Sequence, residues 1–154
     1  MKKSFSIIIA VVICLAVGWL SSLLNKAPIE TWYPMLEKSS FTPPDYIFPI
    51  VWSVLYVLIG ISAGLLYNVH SISKRALLIL FAVQLLFNVS WSFFFFSMQS
   101  PILGFANLLI LVILGVAYFI GTLWIKRPAA MFFLPYLAWI LFAAYLNFYI
   151  VVYN

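Results

Sequence analysis

The sequence WYPMLEKSSFTPPDYIFPIVWSVLY, residues 32–56, decides how the rest of the chain is interpreted, because it begins as a polar segment and ends inside an apolar one. Pro43-Pro44 favours an extended backbone, so no helix is expected to cross it. Asp45 is expected to cap a helix that starts just after it, with Pro49 tolerated in or near the first turn. The polar half is therefore predicted to be a loop that leads into a helix.

The apolar half of this stretch carries two aromatic residues on one helical face. Trp52 and Tyr56 are four residues apart, which places them one above the other. This pattern fits a shaped lid that leads into an aromatic pocket. It equally fits an ordinary connector followed by aromatic residues at the membrane interface.

The composition identifies the class of protein. Of 154 residues, 67% are hydrophobic and 7% are charged, whereas soluble domains carry about 25% charged residues. The chain is therefore predicted to be an integral membrane protein, and its net charge of +5 concerns topology rather than a nucleic-acid partner. The single cysteine, Cys14, cannot form an internal disulfide and is expected to pack as a small side chain.

Five continuous apolar runs are each long enough to cross about 30 Å of hydrocarbon as a helix. They do not alternate as the strands of a membrane barrel would. The predicted fold is an all-α, five-transmembrane-helix bundle that forms one domain over residues 1–154, with a lid loop at 25–46. The spans are predicted at 5–24, 47–67, 76–97, 101–124 and 129–152.

The basic residues predict the orientation. Five spans place the two termini on opposite sides of the membrane. The N-terminal side then holds six basic residues and the lid side holds two, so we expect a cytoplasmic N-terminus and an outward lid in a bacterial plasma membrane. The six are Lys2, Lys3, Lys74, Arg75, Lys126 and Arg127, and the two are Lys26 and Lys38.

No acidic or basic residue lies within any predicted span. Proton-coupled transporters keep an intramembrane carboxylate or histidine to carry the proton. Proton-driven pumping is therefore not expected, whereas passive movement of a solute or simple binding stays open. His70 ends the second span on the side opposite the lid, about 18 residues and roughly 27 Å from Trp52, so it is not expected to ligate a metal under the lid. No metal site and no conventional catalytic constellation is predicted.

The polar residues inside the spans cluster at one depth. Spacings of three and four residues place two stripes on single helical faces, and antiparallel helices bring both into the lid half of the bilayer. This predicts a concave, mostly apolar site for a small molecule; the alternative is that each amide only bonds between helices and each aromatic belongs to an interfacial belt. The stripes are Gln84, Asn88, Trp91 and Ser92, then Tyr136, Trp139, Ala143 and Asn147, with Asn107 on the fourth span.

One further pattern is a pair of glycines at small-xxx-small spacing. Gly60 and Gly64 lie four residues apart on the second span. The pair predicts a close helix contact, either within the bundle or between two copies of the chain.

The chain also resembles a known family over nearly its whole length. The motifs resemble those of the translocator proteins, also called tryptophan-rich sensory proteins or peripheral benzodiazepine receptors. They are Trp32-Tyr33, Phe41-x-Pro43-Pro44, Phe48-Pro49-x-Val51-Trp52-x-x-Leu55-Tyr56, Gln84-x-x-x-Asn88-x-x-Trp91-Ser92 and Pro135-Tyr136-x-x-Trp139-x-x-Phe142-Ala143-x-x-Leu146-Asn147.

The resemblance implies a five-helix bundle, often a homodimer, with a cavity closed by the first long loop. It implies protoporphyrin or a related tetrapyrrole as ligand, isoquinoline or benzodiazepine-type drugs as further ligands, contact with membrane lipid, and no required cofactor. Ligand positions carried over from the family are Tyr33, Pro43, Phe48, Trp52, Asn88, Trp91, Ser92, Trp139, Ala143 and Leu146.

Three functions follow from the resemblance. The first is a tetrapyrrole-binding sensor or regulator, the second a passive transporter of porphyrins or lipid-like solutes, and the third an enzyme that breaks down porphyrin in light. In the third, Trp52 and Trp139 are the candidate catalytic residues. The sequence departs from the family at Lys38-Ser39, where Lys-Pro is frequent, and it lacks a basic residue in the last ten positions, where the eukaryotic sterol pattern has one.

Overall fold

Five apolar segments of the chain form five long helices. A computed structural model describes the backbone of residues 2–154 and the side chains of residues 4–23 and 28–154. Within this part of the chain the helices are long and apolar enough to cross a membrane, and no strand occurs in it. The predicted all-α five-span bundle is confirmed. The helices are α1 (Lys2–Thr31), α2 (Ile47–Tyr67), α3 (Lys74–Ser92), α4 (Pro101–Ile125) and α5 (Arg127–Tyr153).

The lid loop begins later than the sequence suggested. α1 continues to Thr31 with Pro28 inside it, and the Trp32 amide donates to the Pro28 carbonyl. The expected loop at 25–46 is corrected to 32–46, which includes one 3₁₀ turn at Tyr33–Met35. The polar residues after position 24 mark where the apolar run ends, but a helix can continue beyond the hydrocarbon where water solvates its polar side chains.

Asp45 does not cap α2, contrary to expectation. The N-cap is Tyr46, with no side-chain hydrogen bond, and the Ile47 amide donates to the Pro44 carbonyl. An N-cap at Asp45 would accept from the amide of Ile47 or Phe48, but the Ile47 amide is bonded to Pro44 instead and the helix starts one residue later. The carboxylate of Asp45 is therefore left free at the junction of lid and helix.

The two glycines of α2 form the surface against which α1 packs. A Cβ at Gly60 would lie 2.5 Å from the Cα of Val11, and one at Gly64 would lie 2.5 Å from the Cα of Ile7. Only glycine allows two backbones to approach this closely. The small-xxx-small pair therefore serves packing within the bundle, the first of the two alternatives.

The core fills the middle of the bundle and the half opposite the lid. Large side chains there have no exposed surface, among them Tyr118, Phe133, Tyr136 and Ile140. The outer surface is apolar, as a lipid-facing surface must be, with Ile113 67% exposed. The lid half is not filled in this way, and it holds the site described next.

Candidate functional site

A cavity of about 560 Å³ lies beneath the lid, enclosed by the lid, α1, α2, α3 and α5. Its volume is within the range of pockets that hold drug-sized ligands. The lining residues are Leu15, Gly18, Trp19, Ser21, Ser22 and Ile29 from α1; Tyr33 and Asp45 from the lid; Phe48, Pro49, Trp52, Ser53 and Tyr56 from α2; Asn88, Trp91, Ser92, Phe95 and Phe96 from α3 and the turn after it; and Ala143, Leu146, Asn147 and Ile150 from α5.

Most residues named from the sequence meet in this cavity. Pro43 and Trp139 are not among its lining residues. Trp139 contacts the Trp52 ring, with centroids 6.5 Å apart and planes at 88°, and the Phe48 ring at 6.1 Å; it therefore lies in a second layer. The eight that line the cavity are Tyr33, Phe48, Trp52, Asn88, Trp91, Ser92, Ala143 and Leu146.

A chain of hydrogen bonds forms the floor. The Tyr56 hydroxyl donates to Oδ1 of Asn88 at 2.6 Å, and Nδ2 of Asn88 donates to the Tyr136 hydroxyl at 3.2 Å. The Tyr136 hydroxyl in turn donates to Oε1 of Gln84 at 2.8 Å. These bonds tie α2, α3 and α5 together and use both polar atoms of the Asn88 amide. Asn88 therefore forms part of the wall, but its donor and acceptor are already engaged.

The other two amides in the lid half are also engaged structurally. Asn147 accepts a hydrogen bond from Nε1 of Trp91 at 3.1 Å and donates to the Pro101 carbonyl at 2.8 Å. Asn107 donates to the Phe87 carbonyl at 2.7 Å and accepts from Ser90 at 2.9 Å. Asn147 lines the cavity, whereas Asn107 does not. For Asn107 the structure supports the alternative in which the amide only joins helices.

Two serine hydroxyls in the described part of the cavity remain available to a ligand. Ser21 and Ser92 are only 5% and 6% exposed, both line the cavity, and neither has a hydrogen-bond partner among the side chains and backbone groups described. Ser22 and Ser53 donate to carbonyls of their own helices. Because both hydroxyls face the cavity without a protein partner, Ser21 and Ser92 can donate a hydrogen bond to a ligand or accept one from it.

An aromatic cluster closes the cavity on the α3 side. After Ser92 the backbone forms a π-helix, Phe93–Ser97, in which Phe95 and Phe96 both turn inward, 2% and 9% exposed. Phe95 stacks on Trp91 with centroids 5.4 Å apart and planes at 21°. The sequence predicted a regular helix to residue 97, and neither Phe95 nor Phe96 was among the predicted site residues. The run of four phenylalanines does not by itself show which rings face the cavity. The π-helical turn is wider than an α-helical one and changes which residues face inward.

The contribution of α1 was also missed. A Cβ at Gly18 would fall on the Tyr56 ring, so this glycine makes room for the aromatic wall. Ser21, three residues on, lies on the same face. The available signal was a set of small residues at helical spacing within an apolar run, which also fits plain helix packing.

The wall between α1 and α2 is thin. Leu15, Trp19 and Ser22 of α1 line the cavity and are also exposed on the outer surface, as are Pro49 and Ser53 of α2. The cavity is therefore bordered here by side chains that face the surroundings of the bundle.

The rim of the cavity carries one carboxylate. Asp45 lines the cavity and is exposed. Tyr33 beside it is buried, and this burial, with a smaller contribution from the Asp45 carboxylate, raises the pKa of the Tyr33 hydroxyl to about 12. Nζ of Lys38 lies 4.4 Å from the centroid of the Tyr33 ring, but Lys38 does not line the cavity.

The lid is fastened to the end of α5. The side chain of Asn154 accepts a hydrogen bond from the Glu37 amide at 2.9 Å and donates to the Glu37 carbonyl at 3.1 Å. The hydroxyls of Ser39 and Tyr145 are 3.2 Å apart. Ser39, which stands where the family often has proline, is thus buried and bonded to α5.

His70 lies far from this site. It is exposed in the connection between α2 and α3, at the end of the bundle opposite the lid. Among the side chains described, no group of three or more His, Cys, Asp or Glu residues is placed so that it could hold a metal ion. What the described residues offer in the cavity is apolar and aromatic surface, the free hydroxyls of Ser21, Ser92 and Tyr33, and a rim carboxylate.

Comparison with known proteins agrees with this architecture. The family model described as TspO/MBR matches residues 10–153. A tryptophan-rich protein TspO from Chlorobaculum tepidum is 35% identical, with 96% of this chain and 94% of that protein covered. A translocator protein from Ovis aries is 35% identical over 85% of this chain and 79% of its own, and protein CrtK from Rhodobacter capsulatus is 34% identical over 76% and 74%. The chain, an integral membrane protein with five spanning helices, therefore belongs to the TspO/MBR family.

Proposed function

We propose that the protein binds a flat, mostly apolar tetrapyrrole such as protoporphyrin in the cavity beneath the lid and acts as a sensor or regulator of that ligand. The observation that carries the proposal is the cavity itself: about 560 Å³, walled by Trp52, Trp91 and Phe95, with unpartnered hydroxyls at Ser21 and Ser92. Aromatic side chains pair with a flat ring system beyond simple area burial. Isoquinoline and benzodiazepine-type drugs, which are also flat and largely apolar, fit the same description.

The names of relatives support a sensory role in general terms. One relative, from Cereibacter sphaeroides, is a tryptophan-rich sensory protein, 29% identical over 77% of this chain. We propose that this chain lies in a bacterial plasma membrane with its N-terminus in the cytoplasm, and that it forms a homodimer. Because Gly60 and Gly64 are occupied by α1, a dimer would use another surface. The side chains of Lys2, Lys3 and Lys26, which enter the charge comparison, lie outside the described residues.

Passive transport is the alternative function. It requires a path from the cavity to the far side of the membrane. Tyr118, Phe133 and Ile140, none of which has exposed surface, fill the bundle beyond the floor. This packing supports binding over passage, and porphyrin flux into liposomes that contain the protein tests it directly.

A binding measurement tests the proposal. Purified protein in nanodiscs is titrated with protoporphyrin in the dark, and quenching of tryptophan fluorescence reports binding above the partition into empty nanodiscs. Ser21→Ala and Ser92→Ala should each weaken binding severalfold, because each removes a hydrogen bond to the ligand. His70→Ala, on the far side of the bundle, is the matched control and should leave the affinity unchanged.

The outcomes separate the candidate functions. Saturable binding that the serine variants weaken and the His70 variant does not would support the cavity as the site. Absence of saturable binding, or a loss of more than about tenfold in the His70 variant, which is about 1.4 kcal/mol, would contradict it. The same samples under illumination, followed by absorbance and product mass, show whether the bound ligand is also altered.

A further inference from the structure

The charge on the cavity wall is concentrated at one residue. Of the lining residues that the structure describes, Asp45 alone is charged, and the other polar ones are serines, asparagines, tyrosines and tryptophans. No ion pair is formed by Asp45 among the described residues, and it does not cap α2. Among the described residues, the rim therefore carries one carboxylate, and no cation lines the cavity.

The cation placed beside the rim does not offset this charge inside the cavity. Lys38 holds its ammonium group over the Tyr33 ring, 4.4 Å from the centroid, and Lys38 is not a lining residue. The neighbouring lid carboxylate, Glu37, is exposed, and its backbone rather than its side chain is bound by Asn154. Asp45 is therefore the charge that a substituent at the rim would meet.

We propose that Asp45 makes the cavity selective for aromatic ligands whose projecting substituents carry positive charge, over the same ligands with carboxylates. The inference rests on the proposed function, since it concerns what the same cavity prefers to hold. The apolar walls accept a flat ring system whatever its substituents, whereas the rim distinguishes them by charge. An ammonium group near Asp45 is attracted and a carboxylate is repelled, and low-dielectric walls strengthen this effect relative to open water.

The expected preference depends on the substituents at the edge of the macrocycle. A macrocycle with free propionates finds no described lining cation to pair with, so its carboxylates must stay in water or face Asp45. Esterified or amine-bearing forms avoid this cost. The favoured class is thus a planar aromatic body with a basic side chain. Protoporphyrin, the ligand of the proposed function, still binds through its ring system, but with its propionates in water and more weakly than its neutral or basic derivatives.

Three ligands with one macrocycle test this preference: protoporphyrin, its dimethyl ester, and its bis(2-aminoethyl) amide. Dissociation constants are measured by tryptophan quenching in nanodiscs of zwitterionic lipid, with partition into empty nanodiscs subtracted. The wild-type protein should bind the amide most tightly and the free acid least tightly. Raising the salt from about 0.05 M to about 0.5 M should compress the difference, because the rim is exposed to solvent.

Asp45→Asn should reduce the ratio of the acid and amide dissociation constants about fivefold, which corresponds to about 1 kcal/mol. Asp45→Lys should reverse the order of the two ligands. Glu37→Gln makes the same charge change on the same lid, outside the cavity, and should leave the ratio within about twofold of the wild type.

The result that overturns the inference is a ratio unchanged by Asp45→Asn, or one that Glu37→Gln shifts as far as Asp45→Asn does. Binding of all three ligands with no dependence on Asp45 would leave the proposed function standing and remove only its charge preference. Failure of all three ligands to bind would defeat the proposed function, and the inference with it.

Discussion

The hydroxyl of Tyr56 and Oδ1 of Asn88 are 2.6 Å apart, joined by a hydrogen bond between α2 and α3. Both residues line the cavity, and both are more than nine-tenths buried. The same bond therefore holds the bundle together and sets the floor of the site.

Removing that hydroxyl should destabilise the bundle. Tyr56→Phe leaves Oδ1 of Asn88 without its donor, and hydrogen bonds between membrane helices are worth about 0.6 kcal/mol on average and up to about 1.7. We expect a loss of about 1 kcal/mol in the free energy of unfolding, measured by SDS titration. Tyr46→Phe, on an exposed tyrosine before α2, is the control and should have no effect. Equal stability of the two variants would show that the bond contributes nothing measurable.

The contact between α1 and α2 depends on Gly60. An alanine there would bring its Cβ to 2.5 Å from the backbone of Val11, which cannot move without shifting α1. We expect Gly60→Ala to lose about 1–3 kcal/mol of stability, the usual cost of overpacking. The matched control is Gly121→Ala, whose Cβ would meet only the end of the Leu77 side chain at 2.6 Å, because that side chain can rotate away.

The two glycine variants also bear on assembly. If the homodimer uses a surface other than the small-xxx-small pair, the fraction of dimer in mild detergent should be the same for folded Gly60→Ala and wild type. A dimer lost in Gly60→Ala while the monomer stays folded would place the pair between copies of the chain instead.

The orientation can be tested at two exposed positions on opposite sides. Met35 in the lid is 75% exposed, and Ile72 between α2 and α3 is 101% exposed. In a Cys14→Ala background, Met35→Cys should react with a membrane-impermeant maleimide on intact cells, and Ile72→Cys should react only after lysis. The opposite pattern would reverse the topology. Ser39, the obvious polar position in the sequence, is unsuitable because it is only 6% exposed and bonded to Tyr145.

The features that sequence reasoning predicted well are those set by composition and periodicity. The spans follow from hydrocarbon thickness, and the inward face of α3 follows from the spacing of Gln84, Asn88 and Ser92, all buried as expected. Those signals are local and repeat along each helix. The spacing alone did not show which polar groups already have hydrogen-bond partners within the bundle. Asn88 has such partners, whereas the Ser92 hydroxyl has none among the described residues.

The features that were missed depend on tertiary contacts. Phe95 and Phe96 enter the cavity through a π-turn, and α1 supplies part of the wall because Gly18 accommodates Tyr56. Asp45 was expected as a helix cap, yet the Ile47 amide bonds to the Pro44 carbonyl in a turn that starts α2 one residue later, and the carboxylate stays at the rim. In each case the competing interaction lies on another helix or in an altered turn, where periodicity carries no information.

Trp52 and Trp139 form an edge-to-face pair whose ring centroids are 6.5 Å apart. An indole can donate an electron to a photoexcited porphyrin, whereas a phenyl ring is a far poorer donor. Trp52 lines the cavity and Trp139 contacts it from behind, so the two indoles form a path that leads away from a bound ligand. If the protein alters porphyrin in light, both should take part, but only Trp52 should also contribute to binding.

Trp52→Phe should weaken protoporphyrin binding modestly, by about the 0.5–1.5 kcal/mol of an aromatic contact at most, and should slow light-driven loss of porphyrin absorbance per bound ligand by a larger factor. Trp139→Phe should leave binding unchanged and still slow the photoreaction. Trp124→Phe, 85% exposed and at the end of the bundle opposite the lid, is the control and should change neither quantity. Full photochemical activity in the Trp52→Phe, Trp139→Phe double variant would remove this pair from the mechanism and leave the two indoles with a packing role only.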